Sequence, residues 1–125
     1  MLKLIYTSDG LILEAVSASL ESTVSQRLKI SLAASQPFYV ENSTATLLLK
    51  LNSQRFLALR KALACESTKQ VEASVLDQEF VEVTMAGVWL TEDPESESGV
   101  FLATLNPESE KILYEYWELS ELQVA

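Results

Sequence analysis

The chain has 125 residues, of which 48% are hydrophobic, and its 18 acidic and 9 basic residues give a formal net charge of −9. This length and hydrophobic content predict a single globular domain over residues 1–125 and exclude a wholly disordered chain. The negative charge argues against nucleic acid as a partner, because phosphate groups repel an acidic surface. Cys65 is the single cysteine, which excludes an intrachain disulfide and gives no sign of an oxidising compartment.

The N-terminal residues lack the long apolar stretch and the small-residue cleavage site of a signal peptide. No run reaches the roughly 18 apolar residues that a membrane helix needs. We therefore expect a soluble, cytoplasmic protein that does not bind a membrane.

Charge is distributed unevenly along the chain. Residues 1–65 include seven basic and four acidic residues, a net charge of +3, whereas residues 66–125 include two basic and fourteen acidic residues, a net charge of −12. The two halves can attract each other within one fold, or the acidic half can offer a face to a basic partner. We favour the first interpretation, because charge patterns more often govern solubility than binding sites.

Two strands are predicted first, over residues 2–6 and 11–16, with Asp9-Gly10 favouring the tight turn of a hairpin between them. A helix follows, capped by Ser17 or Ser19 and ending before Pro37. Apolar residues recur along it every four positions and define the face that we expect to pack on the sheet. These residues are Leu20, Val24, Leu28 and Leu32, with Ile30 and Ala34 widening the stripe.

Strands are predicted over residues 38–40 and 44–51, and a second helix begins at Asn52 or Ser53. Further strands are predicted over residues 71–76, 80–85, 88–90 and 100–105, with Gly87 marking a bulge or a turn. Residues 107–121 form either a helix or a strand. The helix is favoured, because Asn106-Pro107-Glu108 combines a cap, a proline at the first position and an early acidic residue.

These elements predict an α+β fold, with a mainly antiparallel sheet that opens with an N-terminal hairpin and two or three helices packed against it. The sequence has no histidine, which removes the most common general base and metal ligand. Its three glycines are far apart, so neither of the phosphate-binding glycine motifs is present. We expect no cofactor and no metal, and enzymatic activity is the less favoured possibility.

An acidic segment, Glu92, Asp93, Glu95 and Glu97, could bind a cation or a partner, but it lacks the order of a calcium-binding loop. We interpret it as a solvated turn, since closely spaced like charges repel each other when buried. Cys65 is expected to be a buried structural thiol.

Four aromatic residues are candidates for a binding surface: Trp89, Tyr114, Tyr116 and Trp117. Aromatic side chains also dominate protein cores. A core role is favoured for Trp89, which lies in an apolar run. For the three C-terminal residues, a core position and an exposed face for a partner or a second copy are about equally favoured.

Whole segments of the chain resemble a family of small cyanobacterial proteins without an assigned function. The resemblance is carried by MLKLIYT (residues 1–7), VENSTA (40–45) and FVEVTMAGVWL (80–90), together with DPE (93–95) and GVF (99–101). It implies a cyanobacterial cytoplasm and a C-terminal helix rather than a strand. None of these stretches is a catalytic signature, so the resemblance assigns no residue roles.

The first functional hypothesis is a non-catalytic protein-interaction or scaffold protein, with a homodimer as one form. It is motivated by the scarcity of catalytic groups in an acidic, compact chain. The alternative is a small-molecule-binding protein, or an unusual enzyme, that uses carboxylate, Tyr and Arg groups.

Overall fold

The computed structural model describes the backbone of residues 1–66 and 70–124, and the side chains of these residues as far as residue 120. Its elements follow in the order β1 (Leu2–Thr7), β2 (Gly10–Ala15), α1 (Leu20–Ala34), β3 (Tyr39–Lys50), α2 (Ser53–Leu63), β4 (Val71–Val75), β5 (Phe80–Thr91), β6 (Gly99–Ala103) and α3 (Pro107–Val124). The strands form one antiparallel sheet in the order β2, β1, β6, β5, β3, with β4 paired to β5. The predicted α+β class is confirmed, as is the C-terminal helix.

The chain divides into two compact units. The first consists of Met1–Ser43 and Gly87–Thr104, and the second of Thr44–Ala86 and Leu105–Ala125. Strands β3 and β5 contribute residues to both units. No helix in the described part of the chain has the length and hydropathy to cross a lipid bilayer.

The predicted N-terminal hairpin is present in the first unit. Thr7 pairs with Gly10, so the turn between β1 and β2 consists of Ser8 and Asp9. Gly10 has a φ of 134°, a conformation that residues with a Cβ rarely adopt. The Thr7 hydroxyl further closes the turn, because it donates to the Gly10 carbonyl and accepts from the Asp9 N–H.

Strand β6 lies between β1 and β5, and both of its faces are buried. On one face, Leu4 pairs with Phe101 and Leu2 with Ala103. On the other, a cluster of buried side chains packs against the start of α1. The cluster consists of Met1, Leu90, Val100 and Leu102, and the α1 residues in contact with it are Leu20 and Val24.

The strands predicted over residues 38–40 and 44–51 form one strand, β3, and those predicted over residues 80–85 and 88–90 form one strand, β5. β3 runs through residues 41–43, where the sequence favoured a break, because side chains such as Glu41 and Asn42 extend into solvent there. β5 runs without interruption past Gly87, so the predicted turn at that glycine is wrong, and the alternative of a bulge stays a prediction. Gly87 is instead a site of close approach, because a Cβ placed on it would lie 2.7 Å from Cζ of Phe101. Packing against β6, and not chain reversal, explains this glycine.

In the second unit, α2 begins where the sequence predicts. The Asn52 side chain accepts a hydrogen bond of 3.1 Å from the Arg55 N–H and caps the helix. Leu59 and Ala62 form the buried face of α2. The remaining core of this unit comes from β3, β4, β5 and the stretch from residue 105 onwards: Leu47, Leu49, Val71, Val81, Val83, Met85, Leu105, Leu113 and Tyr116.

Candidate functional site

Helix α1 does not bury the apolar stripe that its sequence predicts. Leu20 and Val24 pack on the core, but Leu28 is 46% exposed and Leu32 is 71% exposed. A helix turns about 100° per residue, so each step of four residues drifts by about 40° and three steps drift by about 120°. The four-residue repeat therefore starts toward the core and ends on the outer flank of the helix. This part of the sequence prediction is wrong.

The side chains that follow Leu20 and Val24 on the inward face of α1 are those of Arg27 and Ser31. Spacings of four, three and four residues keep these positions aligned with a period of about 3.6. Ser31 is 7% exposed and Arg27 is half-buried. The inward face of α1 thus changes from apolar to polar halfway along the helix.

A groove of about 470 Å³ lies beside this polar half of α1, within the first unit. Its apolar lining is contributed by Ile30, Phe38, Leu90 and Val100, and its polar lining includes Arg27, Ser31, Gln36, Thr91, Glu92 and Asp93. The end of α1 positions one wall. Ser35 adopts the left-handed conformation, with φ 55°, and Pro37 follows, so the helix stops and Phe38 reaches the groove.

The acidic segment between β5 and β6 also lines the groove, and it is held by its own hydrogen bonds. The buried Thr91 hydroxyl donates to the Asp93 carbonyl at 2.9 Å and to the Ser98 carbonyl at 3.2 Å. Oδ1 of Asp93 accepts from the Glu95 N–H at 2.9 Å. These contacts hold the loop in place.

All four carboxylate-bearing residues of this segment are exposed, as the solvated-turn interpretation expects. Glu92 and Asp93 nevertheless line the groove. Among residues 1–66 and 70–120, no group of three or more His, Cys, Asp or Glu side chains is placed to hold a metal.

Arg27 is the cationic side chain of the groove. In the described residues it has no carboxylate within ion-pair distance, although Glu92 and Asp93 line the same space. The Ser31 hydroxyl likewise has no hydrogen-bond partner within the part of the chain that the structure describes, and its oxygen is accessible to solvent, since it is not among the buried unsatisfied atoms. A half-buried guanidinium with five N–H donors and an accessible hydroxyl one turn later are therefore available to a ligand.

Sequence reasoning missed Arg27 and Ser31 because it followed the four-residue repeat of aliphatic side chains. Steps of three and then four residues average close to the helical period of about 3.6. Taken from Val24, these two steps reach Arg27 and then Ser31. The signal was therefore present in the sequence, as two polar residues at positions where an apolar stripe should continue.

The four predicted aromatic candidates lie outside the groove lining, and their role in binding stays a prediction. Trp89 is half-buried in β5 and packs edge-to-face on Tyr6, with 5.4 Å between ring centroids. Tyr114 and Trp117 are half-buried on α3, whereas Tyr116 is fully buried.

Tyr116 and Ser120 of α3 bind the backbone between β3 and α2. The Tyr116 hydroxyl donates to the Lys50 carbonyl at 2.6 Å and accepts from the Asn52 N–H at 3.1 Å. Ser120, four residues later, accepts from the Lys50 N–H at 2.8 Å. The position of Tyr116 thus has a structural explanation.

Burial raises the pKa of Tyr116 above its ordinary value of 10.0, while the hydrogen bond from Asn52 opposes part of this rise. The folded chain therefore holds this proton to higher pH than the unfolded chain does, so the contribution of Tyr116 to stability is fully present below pH 10 and falls above it. We expect the free energy of unfolding, measured in urea on either side of pH 10, to fall less steeply in Tyr116→Phe. Some fall should remain, because burial also raises the pKa of Tyr6. Equal slopes for variant and parent would contradict the assignment.

Cys65 was expected to be buried, and this is wrong. Helix α2 ends at Leu63, so Cys65 lies beyond its last turn and is exposed. Its carbonyl accepts a hydrogen bond of 3.1 Å from the Asn106 side chain. Arg55, an arginine of the kind that a carboxylate-Tyr-Arg pocket would use, pairs with Glu115 at 3.6 Å.

A family model described as Alr0857-like matches residues 1–121. The chain belongs to the Alr0857-like family. The match extends over nearly all of the sequence, including α1, the groove and most of α3. No curated protein and no solved structure matches the chain.

Proposed function

We propose that this Alr0857-like chain is a non-catalytic protein that binds another protein through the outer flank of α1. The observation that carries the proposal is the exposure of Leu28 and Leu32, which are neighbours on one side of the helix. Each leucine side chain contributes roughly 1.5–3 kcal/mol when it is fully buried. An adjacent pair left in water is a common feature of surfaces that associate.

Charge indicates the chemistry of the partner. The first unit has three basic and eight acidic residues, a net charge of −5. A partner that presents apolar side chains flanked by Lys or Arg would be attracted to this surface, whereas a second copy with the same negative charge would be repelled. We therefore propose a different, basic protein as the occupant, and a homodimer as the competing outcome.

The test compares two double variants in pull-downs from an extract of the source organism, with the bound proteins identified by mass spectrometry. Leu28→Gln with Leu32→Gln alters the proposed surface. Leu57→Gln with Leu76→Gln alters two leucines of the second unit that are 55% and 53% exposed. The proposal expects a basic protein that is retained by the parent and by the second variant, lost with the first, and weakened by salt.

A protein set that is unchanged by Leu28→Gln with Leu32→Gln would contradict the proposed surface. Native mass spectrometry of the purified chain tests the competing outcome, a homodimer. A dimer that dissociates in the same α1 variant would show that a second copy covers the helix.

We also infer a cytoplasmic location in a cyanobacterium, from the family resemblance and the sequence composition. The net charge of −9 supports the absence of nucleic-acid binding. A gel-shift assay at low salt tests this inference, because electrostatic binding is strongest there.

A further inference from the structure

We propose that the groove of the first unit binds a small amphipathic molecule with a single carboxylate, recognised by Arg27 and Ser31. This site lies on the inward side of α1 and does not depend on the proposed protein partner, which would occupy the outer flank. The groove volume of about 470 Å³ falls in the range of about 300–1,000 Å³ that is typical of small-molecule sites.

The polar lining includes two groups that have no hydrogen-bond or ion-pair partner among the described residues. Ser31 is 7% exposed as a whole residue, but its hydroxyl oxygen stays accessible to solvent, because the buried side-chain oxygen without a partner in the described residues is that of Ser109. Arg27 is half-buried and contributes a planar fork of N–H donors, which matches the two oxygens of a carboxylate. The two residues are one helical turn apart on the same face, so one head group can reach both.

The apolar lining is formed by four side chains from different parts of the chain. Ile30 comes from α1, Phe38 from the connection after it, Leu90 from β5 and Val100 from β6. Leu90 and Val100 belong to the packed cluster of the first unit, and Phe38 packs against it, whereas Ile30 is 66% exposed. An alkyl or aryl group of the ligand would be removed from water here, which supplies most of the binding free energy.

The acidic wall limits the charge of the ligand. Glu92 and Asp93 line the groove together with Arg27, which is the one cationic side chain among its described lining residues. A phosphate dianion or a nucleotide would meet two carboxylates for one guanidinium, whereas a monoanion can be held at Arg27. Oδ1 of Asp93 accepts from the Glu95 N–H, and among the described residues neither Asp93 nor Glu92 lies within ion-pair distance of Arg27.

The experiment titrates the intact protein with four eight-carbon probes and follows binding by ligand-detected NMR and calorimetry. The probes are octanoate, 1-octanol, octyl phosphate and octyltrimethylammonium. Octanoate is expected to bind at least about tenfold more tightly than octanol, because a charge-assisted bidentate contact contributes about 1.5–3 kcal/mol. Octyl phosphate and the cation should bind more weakly than octanoate.

Two variants assign the head-group contact. Arg27→Gln is expected to weaken the binding of octanoate by about tenfold or more and to leave the binding of octanol unchanged. The preference for octanoate over octanol is then lost. Ser31→Ala should weaken the binding of octanoate by about threefold to tenfold. Arg60→Gln, an exposed arginine of α2 that lies over Phe56 at 5.8 Å, is the matched control and should bind octanoate as the parent does.

Thermal unfolding of each variant establishes that it is folded, and Arg27→Lys provides a second test at the same position. It keeps the charge but loses the fork, so its octanoate affinity should lie between those of the parent and Arg27→Gln. Equal affinities for octanoate and octanol, a tighter complex with octyl phosphate, or an Arg27→Gln variant with parental affinity would each overturn the proposal. So would the absence of binding by all four probes.

Discussion

Gly87→Ala should lower the free energy of unfolding by about 1–3 kcal/mol or more, because overpacking a filled interior forces the neighbouring atoms to move. The added Cβ would lie 2.7 Å from Cζ of Phe101 and still closer to the Leu102 carbonyl oxygen. Phe101 is 1% exposed and Leu102 is fully buried, so neither has open space into which to move. The backbone oxygen cannot rotate away as a flexible side-chain tip would. Urea unfolding monitored by circular dichroism measures the change.

Gly10→Ala is the matched comparison for Gly87. No atom lies within 4 Å of a Cβ at Gly10, and the cost there comes from a φ of 134° alone. The hairpin turn is exposed and can relax toward an ordinary conformation, so a smaller loss of stability is expected than at Gly87. A Gly87→Ala variant as stable as the parent, or less affected than Gly10→Ala, would show that β5 and β6 are not in close contact there.

Tyr116→Phe is expected to cost about 1–3 kcal/mol, the penalty for leaving buried polar groups without partners. Removing the hydroxyl leaves the Lys50 carbonyl without its donor and the Asn52 N–H without its acceptor. Asn52 also caps α2, so the loss affects the start of that helix. The shape of the ring is unchanged, so the loss of unfolding free energy reports the hydrogen bonds and not the packing.

The control for this variant is Tyr39→Phe. Tyr39 is 45% exposed, and its hydroxyl has no hydrogen bond within the described parts of the chain. Its removal should change stability by less than about 0.5 kcal/mol, as for other surface positions. Equal small effects of the two substitutions would mean that water replaces the Tyr116 hydroxyl at the junction of β3 and α2.

Features set by neighbouring residues could be predicted from the sequence. The hairpin, the cap at Asn52 and the start of α3 at Pro107 each depend on contacts within about one turn of chain. The class of the fold follows from the types and order of such elements.

Features set by distant residues could not be predicted in this way. Gly87 looks like a break, yet it allows β6 to approach, and that contact joins residues 14 or more positions apart. The exposed leucines of α1 look like core residues until the helix is placed on the sheet. The groove itself requires Arg27 and the segment around Glu92 to come together from positions far apart in sequence.

The interleaving of the two units has a consequence for synthesis on the ribosome. The chain leaves the first unit at Ser43, returns to it at Gly87, and leaves again at Thr104. Strand β6, which joins β1 to β5, is made only near the end of this path. Neither unit is a continuous stretch of chain, so the first cannot complete its core before the residues up to Thr104 have been synthesised, and the second must wait for the residues that follow Leu105.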